Sequence, residues 1–199
     1  MTHALRLSLL TASLFLALPT VGQAGPPLIC HPFQTAGGEL LPWGTGPGWN
    51  TPDRNYDVRR LTADVLRLLA EDAPILTRME NIRRAVIYAS RDAQAADQLL
   101  AAVVARVTDK PKPLALFDAG YLIESFKQAA HLHGGRHVTT ADGYAMVTKA
   151  LLVGGSNPEM EFAAALMTSG AESESHLRRA RAAAAAESLL AKNITNLGW

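Results

Sequence analysis

From Thr51 onward, apolar side chains recur with the 3.6-residue beat of an α-helix, and no stretch keeps a period-two alternation. That pattern argues against a sheet. It demands helices that each carry an apolar stripe and bury it against another helix. Val58, Leu61, Val65 and Leu68 form the first stripe, with Arg59, Arg60, Asp64 and Arg67 between them facing water. Thr51-Pro52 offers a cap and a first-turn proline ahead of it.

The same logic places six more helices. Asp72 caps a second, with Ile75, Met79, Ile82 and Val86 on one face. Ser90 caps a third, which runs through Leu99 and Val103 until Lys110-Pro111-Lys112-Pro113 ends it. A fourth spans about Leu114 to Leu132 and stops at Gly134-Gly135. A fifth runs from Thr139 or Thr140 to Gly154-Gly155. Asn157-Pro158-Glu159 opens a sixth with a cap, a proline and a carboxylate at the positive helix end. The last runs from about Ser173 to Lys192 through the alanines at 182–186, which favour helix intrinsically. Short connections make consecutive helices antiparallel neighbours. The expected fold is therefore all-α, with six or seven helices in antiparallel hairpins, either a short α-solenoid or an up-and-down bundle. One stretch, KALLVGGSNPEMEFAAAL from Lys149 to Leu166, resembles locally the junction between two tetratricopeptide repeats; no 34-residue period extends it along the chain.

Residues 25–52 have another character. Six of the 11 prolines (26, 27, 32, 42, 47, 52) and six of the 15 glycines fall there, with Glu39 as the one charge. Such a segment resists regular structure. It also carries Phe33, Leu40, Leu41, Trp43 and Trp49, side chains that gain by leaving water. An extended arm lying across a helical body of residues 53–199 reconciles the two.

The first 24 residues read as a cleavable secretory signal. Arg6 precedes the apolar run LSLLTASLFLAL, Pro19 breaks it, and Gly22-Gln23-Ala24 supplies small residues at a cleavage site. The run is shorter than the roughly 20 residues a membrane span needs. The large Ile29 before Cys30 argues against a lipid anchor there. Cleavage removes one Arg and no acid, leaving 18 Lys plus Arg against 18 Asp plus Glu, a net charge of zero. A neutral chain has no overall field to attract nucleic acid. The expected location is periplasmic or extracellular, and the lone Cys30 excludes a disulfide within the chain.

Candidate sites are sparse. His131, His133 and His137 lie within seven residues at a loop mouth, where imidazoles could hold a transition metal such as Zn. Imidazoles beside the negative end of a helix explain the same cluster without a metal. Cys30-His31 could add ligands or a reactive thiolate, but it lacks the first cysteine of a haem-attachment C-x-x-C-H. Phe33, Trp43 and Trp49 could bind a partner or pin the arm to its own body. Arg178, Arg179 and Arg181 are diluted by Glu172, Glu174 and Glu187 and read as a solvated face. Among the acids, Asp118 and Glu124 do not share a helical face, and Glu159 and Glu161 point about 200° apart. No nucleophile elbow, zinc-protease helix or phosphate loop is present. The reading that follows is a non-enzymatic binding or protein-interaction module of the cell envelope, with another envelope protein as partner and no cofactor. A periplasmic metal-binding protein and an enzyme with a dispersed site are the alternatives.

Overall fold

The computed structural model of the protein describes residues 27–35 and 37–197. Residues 1–24, which read as a secretory signal, lie outside the described residues. Among these, the chain is all helical: α1 (Pro27–Cys30), α2 (Leu61–Leu68), α3 (Ile75–Ala89), α4 (Ala93–Val104), α5 (Pro113–Gln128), α6 (Gly143–Gly154), α7 (Pro158–Met167), α8 (Gly170–Ala183) and α9 (Leu189–Asn196), with 3-10 turns at Val58–Arg60 and Ala130–His133. No described helix is long and apolar enough to cross a membrane.

Local chemistry explains most boundaries. The Asn157 side chain accepts from the backbone N–H of Glu159 and Met160, as its position before Pro158 predicts. Four other starts are displaced from expectation. α4 is capped by Asp92 rather than Ser90, because α3 runs through Ala89 and the Ser90 hydroxyl is spent on the Ile87 carbonyl. α6 begins after Asp142, whose carboxylate accepts from Ala145 N–H, rather than at Thr139 or Thr140. The Asp72 cap is likewise displaced: Pro74 precedes α3, and the Glu159 carboxylate reaches its first amides, those of Ile75 and Leu76. The first helix starts later than Thr51-Pro52, through an Asp57-capped 3-10 turn.

The expected last helix is two. Residues 184–188 leave the helix, and Glu187 adopts a left-handed φ of 62°. Alanine propensity, a few tenths of a kcal/mol per residue, is overridden by tertiary contacts. The break lets α9 turn back on α7, and the Asn193 side chain bonds both the N–H and the carbonyl of Gln34 in the arm.

α5 is the axis of the body. It packs against α1, α3, α4, α6 and α7, and its residues from Ala115 to Phe126 are buried all round. α7 and α8, joined through Thr168 and Ser169 alone, form the tightest hairpin in sequence.

The arm belongs to this core. Leu28, Ile29, Phe33 and Leu41 are buried with the helical side chains. Its extended backbone has no ladder to join, so its buried polar groups need partners from elsewhere. α3 supplies them. Glu80 accepts from Phe33 N–H; Asn81 accepts from Leu41 N–H and donates to the Glu39 carbonyl. Arg83 donates to the carbonyls of Ile29 and Trp49, Arg84 to that of Leu41, and Tyr88 to that of Pro42. The polar side of α3 is thus the dock on which the arm lies.

Candidate functional site

Three polar or apolar constellations stand out once the arm is docked. The first is a groove. α4 and α6 both lie on α5, and between them opens an apolar cleft of about 390 Å³. Leu100, Ala101 and Val104 of α4 form one wall, Met146 of α6 the other, and Ile123 of α5 the floor. Leu100 and Val104 stand one helical turn apart, so both face the cleft. α6 continues past the cleft to Leu152 and Val153, which are 85% and 55% exposed and are the exposed large apolar side chains of the described residues. Val153 follows Met146 by seven positions and lies on the same side of the helix.

The second is a basic cavity of about 720 Å³ at the start of α5, lined by Arg106, Lys112 and Glu71. Its cations are already engaged. Arg106 and the wholly buried Arg78 both donate to Asp118, at 2.9 and 2.8 Å, and Lys112 pairs with Glu71. Arg78 and Arg106 also donate to carbonyls of the segment that follows α2.

The third is a chain of titratable groups joining α6, α7 and α8. His176 Nδ1 lies 2.5 Å from Glu161 Oε2, and its Nε2 lies 2.7 Å from the Tyr144 hydroxyl, which is in turn 2.9 Å from Glu172 Oε1. Arg179 Nε donates to the other Glu161 oxygen at 2.9 Å. Burial alone would raise the Glu161 carboxyl, but hydrogen bonds and charge from Arg179 and His176 outweigh it and hold it below its ordinary range. Burial, then the Glu172 contact, push the Tyr144 phenol up to about 12. A phenol held protonated to that degree is a poor nucleophile or base near neutral pH.

The residues singled out from sequence lie apart from these features. His131 and His137 are exposed, whereas the His133 ring packs edge-on against Phe126 with its centroid 5.5 Å away and its Nε2 buried. Burial, then the neighbouring Arg136, hold His133 below the usual imidazole range. Among the described residues no three His, Cys, Asp or Glu side chains come together as a set that could hold a metal. Cys30 is half-buried, and burial raises its thiol despite the opposing pull of Arg83, which disfavours a thiolate. His31 lines a small cleft with Asn193 and Asn196.

The arm aromatics are used within the chain. Phe33 is buried edge-on against Phe162, and Trp43 sits half-buried under the guanidinium groups of Arg83 and Arg84 and against Tyr88. Trp49 packs partly buried on the core while its carbonyl binds Arg83. Of the Arg178, Arg179, Arg181 set, Arg179 is no free surface charge, because it belongs to the Glu161 node. His176 escaped the sequence reading. Glu172, His176 and Arg179 are spaced four and three residues apart, a titratable stripe on one helical face that would have marked it.

No family model matches the chain, and no curated protein or solved structure is detectably similar to it.

Proposed function

We propose that this protein is a non-enzymatic binding module of the cell envelope that docks a protein partner on the groove between α4 and α6. One observation carries the reading: an apolar cleft floored by Ile123 opens between α4 and α6, and farther along α6 the apolar Leu152 and Val153 stand exposed. Isolated apolar side chains on a surface are ordinary, whereas apolar side chains clustered around a concave site mark interaction surfaces. The groove is walled by helices, and its geometry suits side chains of a partner entering from above α5. The envelope location rests on the N-terminal charge, apolar run and cleavage pattern alone.

The test is capture from an envelope fraction with the wild-type chain and with the Leu152→Asp/Val153→Asp double variant. A partner retained by the first and lost by the second, at equal helicity and melting temperature, supports the reading. Identical capture by both overturns it. Recovery of the mature chain with Gly25 as its first residue from the periplasm or medium tests the location. The metal reading has no three-ligand set to rest on among the described residues. Stoichiometric metal in the purified chain, lost on replacing His133 and His137 by Ala, would restore it.

A further inference from the structure

The ion pairs around the cavity at the start of α5 do not exhaust its donors. A guanidinium carries five N–H bonds and an ammonium three. Arg106 gives Nη1 to Asp118 and Nη2 to the Leu69 carbonyl, which leaves Nε–H and one hydrogen on each terminal nitrogen. Arg78 spends Nε on the Ala73 carbonyl, Nη1 on Leu69 and Asp118, and one Nη2 hydrogen on the Ala70 carbonyl. Its second Nη2 hydrogen has no acceptor among the described residues, although the side chain is wholly buried and lines the cavity. Lys112 donates to Glu71 and keeps two further hydrogens.

The backbone adds two more donors. Pro113 has no N–H, Lys112 offers no side-chain cap, and the first bond of the helix runs from Leu116 N–H to the Lys112 carbonyl. The amides of Leu114 and Ala115 thus stand without an acceptor among the described residues. Both residues line the same cavity, at the positive end of a 16-residue helix.

Charge points the same way. Arg78, Arg106 and Lys112 are three cations around the cavity, against two carboxylates, Glu71 on its wall and Asp118 bound to both arginines. One positive charge is left over. The Arg106 side chain is 29% exposed, so water screens that charge less than it would a free surface charge. A phosphate group, with close to two negative charges at neutral pH, overshoots the surplus. A carboxylate matches it, and its two oxygens suit the planar guanidinium fork. Pro113 and Leu114 give the cavity an apolar side that can take a short hydrocarbon body. We infer that this cavity, separate from the groove between α4 and α6, binds a small organic monocarboxylate. Arg106, Lys112 and the Leu114 and Ala115 amides hold its headgroup, and its hydrocarbon lies against Pro113 and Leu114. Glu71 competes with the ligand for Lys112.

Amide NMR of the intact chain, titrated at pH 7 and constant ionic strength with hexanoate, acetate, 1-hexanol and inorganic phosphate, tests this. Hexanoate is expected to shift the Leu114 and Ala115 amides saturably, with a Kd on the order of 1 mM or below. Acetate, lacking four methylenes, should bind at least roughly tenfold more weakly, and phosphate and 1-hexanol more weakly than hexanoate. Lys112→Ala should weaken hexanoate roughly tenfold, the scale of one charge-assisted hydrogen bond. Glu71→Gln should tighten it, because it frees Lys112 and removes an opposing charge. Both side chains are largely exposed, so the fold should survive either change, and the amide spectrum reports whether it does. Absence of a saturable shift, or 1-hexanol or phosphate binding at least as tightly as hexanoate, overturns the proposal. So does a hexanoate affinity unchanged by Lys112→Ala. Should that variant fail to fold, Glu71→Gln decides alone, and unchanged or weaker binding there defeats the idea.

Discussion

Gly120 and Gly143 meet backbone to backbone where α5 packs on α6: a Cβ placed on either glycine would collide with the carbonyl oxygen of the other. The Gly143 position is closed on a second side by Glu124, whose carboxylate accepts from the Gly143 and Tyr144 N–H groups and so caps the start of α6. Two effects compete on replacing Gly120 by Ala. Helix propensity favours Ala in the interior of α5 by about 1 kcal/mol. Overpacking costs about 1–3 kcal/mol when side chains can adjust, and here the obstacle is backbone. The expected result is a net loss of about 2 kcal/mol or more, read as a lower urea midpoint. An unchanged or higher midpoint would show that α5 and α6 separate freely.

Arg83 is expected to hold the arm. Its guanidinium is fully buried, bridges Glu80, and binds the carbonyls of Ile29 and Trp49. Arg83→Met removes one member of a buried ion pair and leaves two arm carbonyls without their donor, a change on the order of 3–5 kcal/mol. Loss of the guanidinium over Trp43 should also shift tryptophan emission to the red and expose residues 31–52 to proteolysis. Emission and cleavage like those of the wild type would mean that the apolar contacts of Leu28, Ile29, Phe33 and Leu41 hold the arm unaided.

Neither of these two relationships is legible in the sequence, although much of the helical frame around them is. The stripe Leu61, Val65, Leu68 and the Asn157-Pro158 start follow from local rules, and the structure keeps them. The polar residues of α3 could not be placed the same way. A helix in isolation sends Arg78, Glu80, Asn81 and Arg83 to water; the arm's unpaired backbone gives the last three reason to be buried, and Asp118 with the carbonyls after α2 gives it to Arg78, and no local pattern shows either. The split between α8 and α9 was hidden similarly, since alanine propensity is local and the pull of Gln34 on Asn193 is not. The groove was illegible because Leu100, Val104, Ile123 and Met146 are each unremarkable until three helices assemble.

Glu159 and Glu161 make opposite contributions to acid stability. Glu161, held low by Arg179 and His176 against the effect of burial, has a folded value below its unfolded one. Its stabilisation is complete above the ordinary Glu range and is lost as pH falls through the depressed folded value. Glu159 is raised by burial, which outweighs its bonds from the Leu76 and Ile75 amides. Its ionisation costs stability at neutral pH, and that cost disappears as pH falls through the raised value. Gln keeps an acceptor for the α3 amides without the charge. Glu159→Gln should therefore stabilise the fold at pH 7 and lose its advantage toward pH 4, whereas Glu161→Gln should destabilise at pH 7 and converge on the wild type in acid. Urea midpoints across that range check both, and the same sign for the two variants at pH 7 would refute the assignment.

Arg78 and Arg106 share Asp118, yet they are not equivalent. Arg78 is fully buried and distributes its donors among Asp118 and the carbonyls of Leu69, Ala70 and Ala73. Arg106 reaches Asp118 and the Leu69 carbonyl with a side chain that is 29% exposed. A lysine carries three donors on one atom and cannot reproduce the planar fork. Arg78→Lys thus leaves the Ala70 and Ala73 carbonyls without their donor, at about 1–3 kcal/mol for each group stranded, whereas Arg106→Lys vacates the Leu69 carbonyl, which Arg78 still meets. Arg78→Lys should lower stability by at least about 2 kcal/mol and Arg106→Lys by about 1 kcal/mol or less. Since both replacements keep the charge, equal losses would trace the stabilisation to net charge beside Asp118. A larger loss for Arg78 traces it to the hydrogen bonds that close the chain segment between α2 and α3.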